Sequence, residues 1–322
     1  MKSLTIAEPR PSGLIIHSNV VERAKEYAEA SKSCNTRKAY TNDWKQFRIW
    51  CEANEITTLP AQPNAVAMYI TILTDTHKIS SISRKLAAIG EAHRTAGFVS
   101  PTEDKDVQMI WKGIRRSKGI AKTEKKPILS DDLRIALENL PHNLHSVRDR
   151  ALLLLGFVGA FRRSELVALN RTDLAFTKEG IVVHLKRSKT NQEGAGEEKA
   201  IPYSSTPSLC SVRALLAWIE ATPDITEPLF VSIGKGEKVH PDRLSDKAVA
   251  LIVKQRLGSL GKEIGDYSGH SLRAGFVTQA ALNGASDRQI MAQTKHRSRA
   301  MIDRYVRVAT VWQDNAATSL GL

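Results

Sequence analysis

Across 322 residues, 42% hydrophobic and 25% charged, there is ample apolar material for a buried core and more length than one domain of ordinary size uses, so two domains are expected. Lys and Arg number 47 against 34 Asp and Glu, a net charge of +13, and this excess predicts a polyanionic partner, nucleic acid ahead of an acidic membrane surface. Aromatic residues, at 6%, are too sparse for a stacking platform to dominate binding; the separated Cys34, Cys51 and Cys210 exclude a disulfide framework and a zinc site; and no segment reads as a signal peptide or a membrane span, so a soluble, reducing, cytoplasmic setting is expected.

Residues 1–18 carry Pro9, Pro11 and Gly13 without a clear period and read as a tail. From Val20 to Gly119 the apolar residues keep helical spacing, so 19–118 is expected to be an all-helical domain. Its stripes include Tyr40, Trp44 and Phe47, then Val66, Tyr69, Ile70 and Leu73 after Pro60 and Pro63. Ser80 and Ser81 are expected to cap a helix that buries Ile82, Leu86 and Ile89, leaving Arg84 and Lys85 off that stripe. A basic run from Lys112 to Lys126, with Arg115 and Arg116 inside it and Gly119 and Pro127 as punctuation, marks a linker over 119–129. Such runs are usually only solvated. Here the basic excess on both sides favours a path beside a phosphate backbone.

The second half, 130–322, opens with Ser130 as the expected N-cap of a helix through Leu133. An apolar helix is expected over 151–161, running to Arg162. Ile181, Val183 and Leu185 alternate as a strand does, a Gly- and Glu-rich loop covers about 190–198, and a second short strand follows near Ala200 and Ile201. Helices are expected to dominate from Leu209 onward, and no internal repeat is present.

Five fragments carry chemistry. Arg162 and Glu165, three apart, are expected on one helix face, where a carboxylate can hold a guanidinium fork rigid for a phosphate. Taken alone, that pair is more often a surface ion pair of small energetic weight. Lys189 in Ser188–Lys189–Thr190 follows a strand and precedes a polar loop; most lysines so placed are merely solvated. His270 and Arg273 in Gly269–His270–Ser271–Leu272–Arg273 sit at a helix start, a place suited to an anion, and no third ligand stands near them for zinc. A cap histidine with a surface arginine fits the same spacing. Ser286 and Gln289 form a capping-box pattern, and His296 follows that helix. Met301, Ile302 and Tyr305 share a helical face, on which a tyrosine is more often core than nucleophile.

Together and in this order, Gly159–Ala160–Phe161–Arg162–Arg163–Ser164–Glu165–Leu166, Arg187–Ser188–Lys189–Thr190, Gly269–His270–Ser271–Leu272–Arg273, His296 and Tyr305 resemble the active-site motifs of the tyrosine recombinases, also called the phage-integrase family. Arg48–Ile49–Trp50–Cys51, the Pro60–Leu73 segment and the Ile82–Gly97 helix resemble the core-binding domain of Cre-type members. The resemblance thus covers nearly all of the chain beyond about residue 20. There are mild departures. Phe161 stands where many members have Leu, Arg163 doubles the first arginine, and the spacing to Glu165 selects Arg162. His296 agrees with most relatives, where Cre has Trp.

The resemblance implies a mainly α fold with a small β-sheet: a helical, SAM-like core-binding domain over 19–118 and an α+β catalytic domain over 130–322. It implies a site-specific recombinase that cleaves and rejoins double-stranded DNA through a 3′-phosphotyrosine on Tyr305. Arg162 and Arg273 would clamp the phosphate, His270 would take a proton, Lys189 would protonate the leaving 5′-oxygen, His296 would hydrogen-bond the phosphate, and Glu165 would orient the site. No metal and no cofactor is implied. A homotetramer on two sites is, as is a Cre-like or Xer-like, two-domain organisation without an arm-binding domain. Arg84, Lys85, Arg115 and Arg116 are expected as DNA contacts. The rival readings are a type IB topoisomerase and a catalytically inert DNA-binding regulator.

Overall fold

The computed structural model describes residues 31–119, 125–185, 196–296, 298–303 and 305–306, with a few positions between 20 and 27. The chain divides into two compact units, Met1–Lys122 and Thr123–Leu322.

Helices α1 (Cys34–Ala53), α2 (Pro63–Leu73), α3 (Ile79–Thr95) and α4 (Lys105–Lys118) build the first unit. The Ser33 hydroxyl accepts from Thr36 N at 3.2 Å and starts α1; Pro63 starts α2, where its missing N–H costs nothing. Phe47 and Cys51 of α1, Val66 and Ile70 of α2, and Ile82 and Ile89 of α3 are buried together, as their four- and seven-residue spacings require. Phe47 and Tyr69 meet edge to face at 5.0 Å between centroids. Lys78, not Ser80 or Ser81, is the N-cap of α3; both serines lie inside its first turn. Helix α4 ends with Arg115, Arg116 and Lys118 in its last turn, which suits the negative end of the helix dipole, and both arginines are exposed.

The expectation for Lys85 is corrected here. Its side chain is 2% exposed, and its ammonium lies 3.3 Å from Asp43 Oδ1 and against Gln46 Oε1. Asp43 is itself 1% exposed and also receives Arg84 Nε at 2.6 Å and Nη2 at 3.1 Å. The Lys85 ammonium is satisfied by Asp43 and Gln46 inside the fold, so Lys85 offers no group to a groove, while Arg84 remains about half exposed.

In the second unit, residues 125–129 are packed rather than linking. Lys126 N donates to Asp266 O at 2.8 Å, Ile128 N donates to Ser271 O at 3.1 Å, and the Ile128 side chain is buried. Gly275 makes that approach possible, since a Cβ there would stand 1.9 Å from Ile128 O. Helix α5 (Ser130–Glu138) has Leu129 as its N-cap; Ser130 Oγ instead donates to Gln279 Oε1 at 2.7 Å. Helix α6 (Leu144–Val158), capped by Asn143, is apolar nearly all round and runs through the centre of the unit. Asp149 on α6, 1% exposed, is held by Arg148 at 2.8 Å and by Arg256 at 2.6 Å.

After the short helix α7 (Arg163–Ala168), strands β1 (Leu174–Phe176), β2 (Gly180–Leu185) and β3 (Glu197–Pro202) form an antiparallel sheet in that order, with Ile181 opposite Ile201 and Val183 opposite Lys199. Helix α8 (Ser211–Glu220) follows, then a second antiparallel pair, β4 (Val231–Ile233) and β5 (Val239–Arg243). Helices α9 (Asp246–Gly258), α10 (Ser271–Leu282) and α11 (Asp287–Thr294) complete the unit. The mainly α architecture with a small antiparallel sheet is as expected; the β4–β5 pair is additional. No described helix is long and apolar enough to cross a membrane.

Candidate active site

Helix α6 stops at Val158, short of the expected 161, because Gly159 caps it and Ala160 turns to φ 48°, the left-handed region. A non-glycine residue there costs on the order of 1 kcal/mol and persists only where its surroundings hold it. Arg162 follows in extended geometry (φ −68°, ψ 145°) as the N-cap of α7. The Arg162–Glu165 pairing therefore differs from the expected shared helix face. Glu165 Oε2 accepts from the backbone N–H of Arg162 at 3.0 Å, and Oε1 takes its guanidinium. One carboxylate thus fixes both the backbone and the side chain of the same arginine, with Glu165 nearly fully buried.

At the start of α10, Ser271 Oγ accepts from Ser268 N at 3.0 Å, and His270 is the N-cap residue with an exposed side chain. Arg273 is 1% exposed. Its Nη1 donates to Ala160 O at 2.7 Å and its Nη2 to Thr294 O. Burial, and then repulsion from Arg162, lower its pKa to about 10, so it keeps its charge at neutral pH. Its other electrostatic neighbours are Glu165, Tyr305 and Glu197.

The reciprocal Ser286–Gln289 capping box opens α11, with Ser286 N donating to Gln289 Oε1 at 2.9 Å. The helix ends at Lys295, in left-handed geometry at φ 55°. Thr294, buried beside it, sets His296: Oγ1 and Nδ1 are 2.9 Å apart. Burial pushes the His296 pKa down to about 3, with Arg273 and Arg162 adding to the effect, so the imidazole is neutral in the fold. Tyr305 follows on a turn of helix, its N–H donating to Ile302 O at 2.9 Å. It packs against a small separate core of Val277, Ala281, Ile290 and Ile302. Its Oη lies 3.3 Å from His270 Nε2.

The structure thus gathers Arg162, Glu165, His270, Arg273, His296 and Tyr305 into one neighbourhood. Lys189 lies outside the described residues. Arg84, Lys85, Arg115 and Arg116 belong to the first unit. A residue the sequence reading passed over stands in the same neighbourhood: Lys199 of β3, whose electrostatic neighbours include Glu165, Arg273 and Arg162. Its signal was present in the alternation of β3, because a strand with Ile201 facing inward also turns Lys199 inward.

Chemically, the arrangement sets a phenol beside an imidazole, within the field of two guanidinium groups, with the Glu165 carboxylate already engaged by Arg162. Such a site suits a tetrahedral anion approached by the phenol oxygen. Among the described residues, no three His, Cys, Asp or Glu side chains are grouped to hold a metal ion.

Comparison with known proteins gives a consistent result. The model of the phage integrase family matches residues 126–311. The integrase/recombinase xerD homolog of Selenomonas ruminantium is 41% identical over 298 residues, covering 91% of this chain and 87% of that protein. The recombinase cre of Escherichia phage P1 is 26% identical over 77% of this chain and 76% of its own length. Among solved structures, a lambda integrase tetramer bound to a Holliday junction superposes with a TM-score of 0.57 at 18% identity, covering 90% of this chain and 76% of that one.

Proposed function

The chain belongs to the phage integrase family and is a site-specific tyrosine recombinase, and from that premise we propose how its residues divide the work. Tyr305 Oη attacks the scissile phosphorus; a phosphotyrosine bond forms at the 3′ side as the bond to the 5′-oxygen breaks. The phenol, whose free pKa is about 10, gives its proton to His270. Arg162 and Arg273 hold the non-bridging oxygens and stabilise the charge that grows in the pentavalent state. His296 hydrogen-bonds the phosphate, Glu165 holds Arg162 in place, and Lys189 supplies the proton that the departing 5′-oxygen takes up. Rejoining is the reverse attack by a 5′-hydroxyl of another strand. The bond to tyrosine conserves the energy of the bond that was cut, so the cycle needs no cofactor.

The observation that carries this reading is the 3.3 Å approach of His270 Nε2 to Tyr305 Oη, within the field of Arg273 and Arg162. The partner is double-stranded DNA, held by four copies of the chain on two sites; the tetrameric lambda integrase on a Holliday junction supports that assembly. Arg115 and Arg116, exposed at the end of α4, and the half-exposed Arg84 are the proposed backbone contacts in the first unit. The protein works in the compartment that holds its DNA, here taken as the cytoplasm. A topoisomerase or an inert regulator is not favoured, since the relatives are recombinases.

The test is a nicked duplex from which the cleaved end diffuses away. Tyr305→Phe is expected to bind this duplex as the parent does and to form no covalent adduct. An adduct in that variant overturns the assignment.

A further inference from the structure

Lys199 is a large polar side chain with a burial that its role in the sheet does not explain. It is 2% exposed on the inward face of β3, and a buried ammonium costs several kcal/mol unless its surroundings repay that. Its hydrogen bonds go to two backbone carbonyls, Gly159 O at 2.6 Å and Ala160 O at 3.3 Å, and its ammonium lies 4.5 Å from the centre of the Phe161 ring. A methionine or leucine would fill the same space without that cost.

What the lysine touches accounts for its presence. Three consecutive carbonyls of the turn leading to Arg162 are taken by side chains. Val158 O accepts from Gln293 Nε2 at 3.1 Å, Gly159 O from Lys199, and Ala160 O from both Lys199 and Arg273 Nη1 at 2.7 Å. At the middle of that turn sits Ala160, in a backbone geometry that relaxes unless it is held. One end of the turn presents Arg162, and the Ala160 carbonyl two residues earlier receives Arg273.

We propose that Lys199 is a positioning residue for strand cleavage, pinning the Gly159–Ala160 carbonyls so that Arg162 and Arg273 keep one fixed separation around the phosphate. This rests on the reading of those two arginines as the phosphate clamp. Burial pushes the Lys199 pKa down to about 7, with Glu165 opposing and Arg273 and Arg162 reinforcing the shift. The clamp tolerates that, because a neutral amine still carries two N–H donors for two carbonyls.

The test is single-turnover cleavage of the nicked duplex by the full chain carrying Lys199→Met, compared with the parent. The expected result is cleavage slowed about 10- to 100-fold, the loss that a misplacement of about 1 Å produces, with DNA affinity unchanged. The loss is expected to persist on a 5′-phosphorothiolate, whose leaving group needs no proton, and to shrink on a methylphosphonate, which lacks the charge the arginines hold. Combined with Arg162→Ala, Lys199→Met is expected to add little further loss, as coupled residues do.

Should Lys199→Met fail a thermal melt, Lys199→Gln carries the test, since its amide keeps two donors; it is expected to retain part of the rate. A Lys199→Met rate within about twofold of the parent overturns the proposal, as does full multiplicativity with Arg162→Ala. Rescue by the phosphorothiolate also overturns it, making Lys199 a proton donor instead. Arg162→Ala cleaving at the parental rate sinks the underlying clamp reading, whatever Lys199 does, so the two failures are distinguishable.

Discussion

Each unit buries a lysine beside arginine, and the two solutions are opposite. In the first unit, Lys85 and Arg84 converge on Asp43, a carboxylate 1% exposed, which offsets the buried Lys85 charge while the half-exposed Arg84 meets solvent. In the second unit, Lys199 and Arg273 are bound by backbone carbonyls of Gly159, Ala160 and Thr294, and Glu165 is engaged by Arg162. Carbonyl oxygens satisfy donors without cancelling their charge. The first arrangement ends in structure; the second leaves positive potential for an anion that arrives from outside.

The sharpest way to break this contrast is to remove the neutralising carboxylate. Asp43→Ala leaves Lys85 buried without its counter-charge and is expected to destabilise the first unit by about 3–5 kcal/mol, whereas Asp43→Leu combined with Lys85→Met should recover most of that. Urea unfolding measures both; a loss under about 1 kcal/mol for Asp43→Ala would place the pair among surface-like ion pairs. In the second unit, Arg273→Ala is expected to slow covalent adduct formation by about 10² to 10³, read as single-turnover cleavage. An unchanged rate would mean that the unneutralised charge has no catalytic use.

A smaller effect separates the exposed from the buried cations of the first unit. Replacing Arg115 and Arg116 with Ala should each lower the salt slope of DNA binding by roughly one, while Lys85→Met should leave the slope alone. A slope change for Lys85→Met would contradict its burial. The smallest effect is a pH dependence. The folded pKa of His296, about 3, lies below the ordinary value of 6.5, so the unfolded chain binds the extra proton between those limits. Stability is therefore expected to fall as pH drops from about 6.5 toward 3. His296→Gln should flatten that part of the profile in thermal melts, and an unaltered profile would assign the acid sensitivity elsewhere.

The candidate site residues were legible because each occupies a recognisable chemical fragment, and their order along the chain survives any error in local structure. Arg162 illustrates this: the three-residue interval to Glu165 was right, yet it works through a helix cap and not a shared face. The amphipathic helices of the first unit were legible from their stripes. What escaped was whatever depends on partners distant in sequence. Ser130 looks like a cap but bonds Gln279, 149 residues away. Lys85 looks exposed by its helical position until Asp43, 42 residues earlier, is seen beside it. Strands β1 and β4, three residues each, are too short for alternation to register.

Tyr305 packs against the small apolar cluster of Val277, Ala281, Ile290 and Ile302, while the arginines are tied to the terminal turn of α6. Aim and attraction thereby share two helices: Val277 and Ala281 lie on α10 with Arg273, and Ile290 lies on α11 with Thr294, whose carbonyl takes Arg273. Trimming a methyl group under the ring would therefore reach the cradle as well as the phenol, through α10 and α11. Such an enzyme changes how readily it fires and how firmly it grips together.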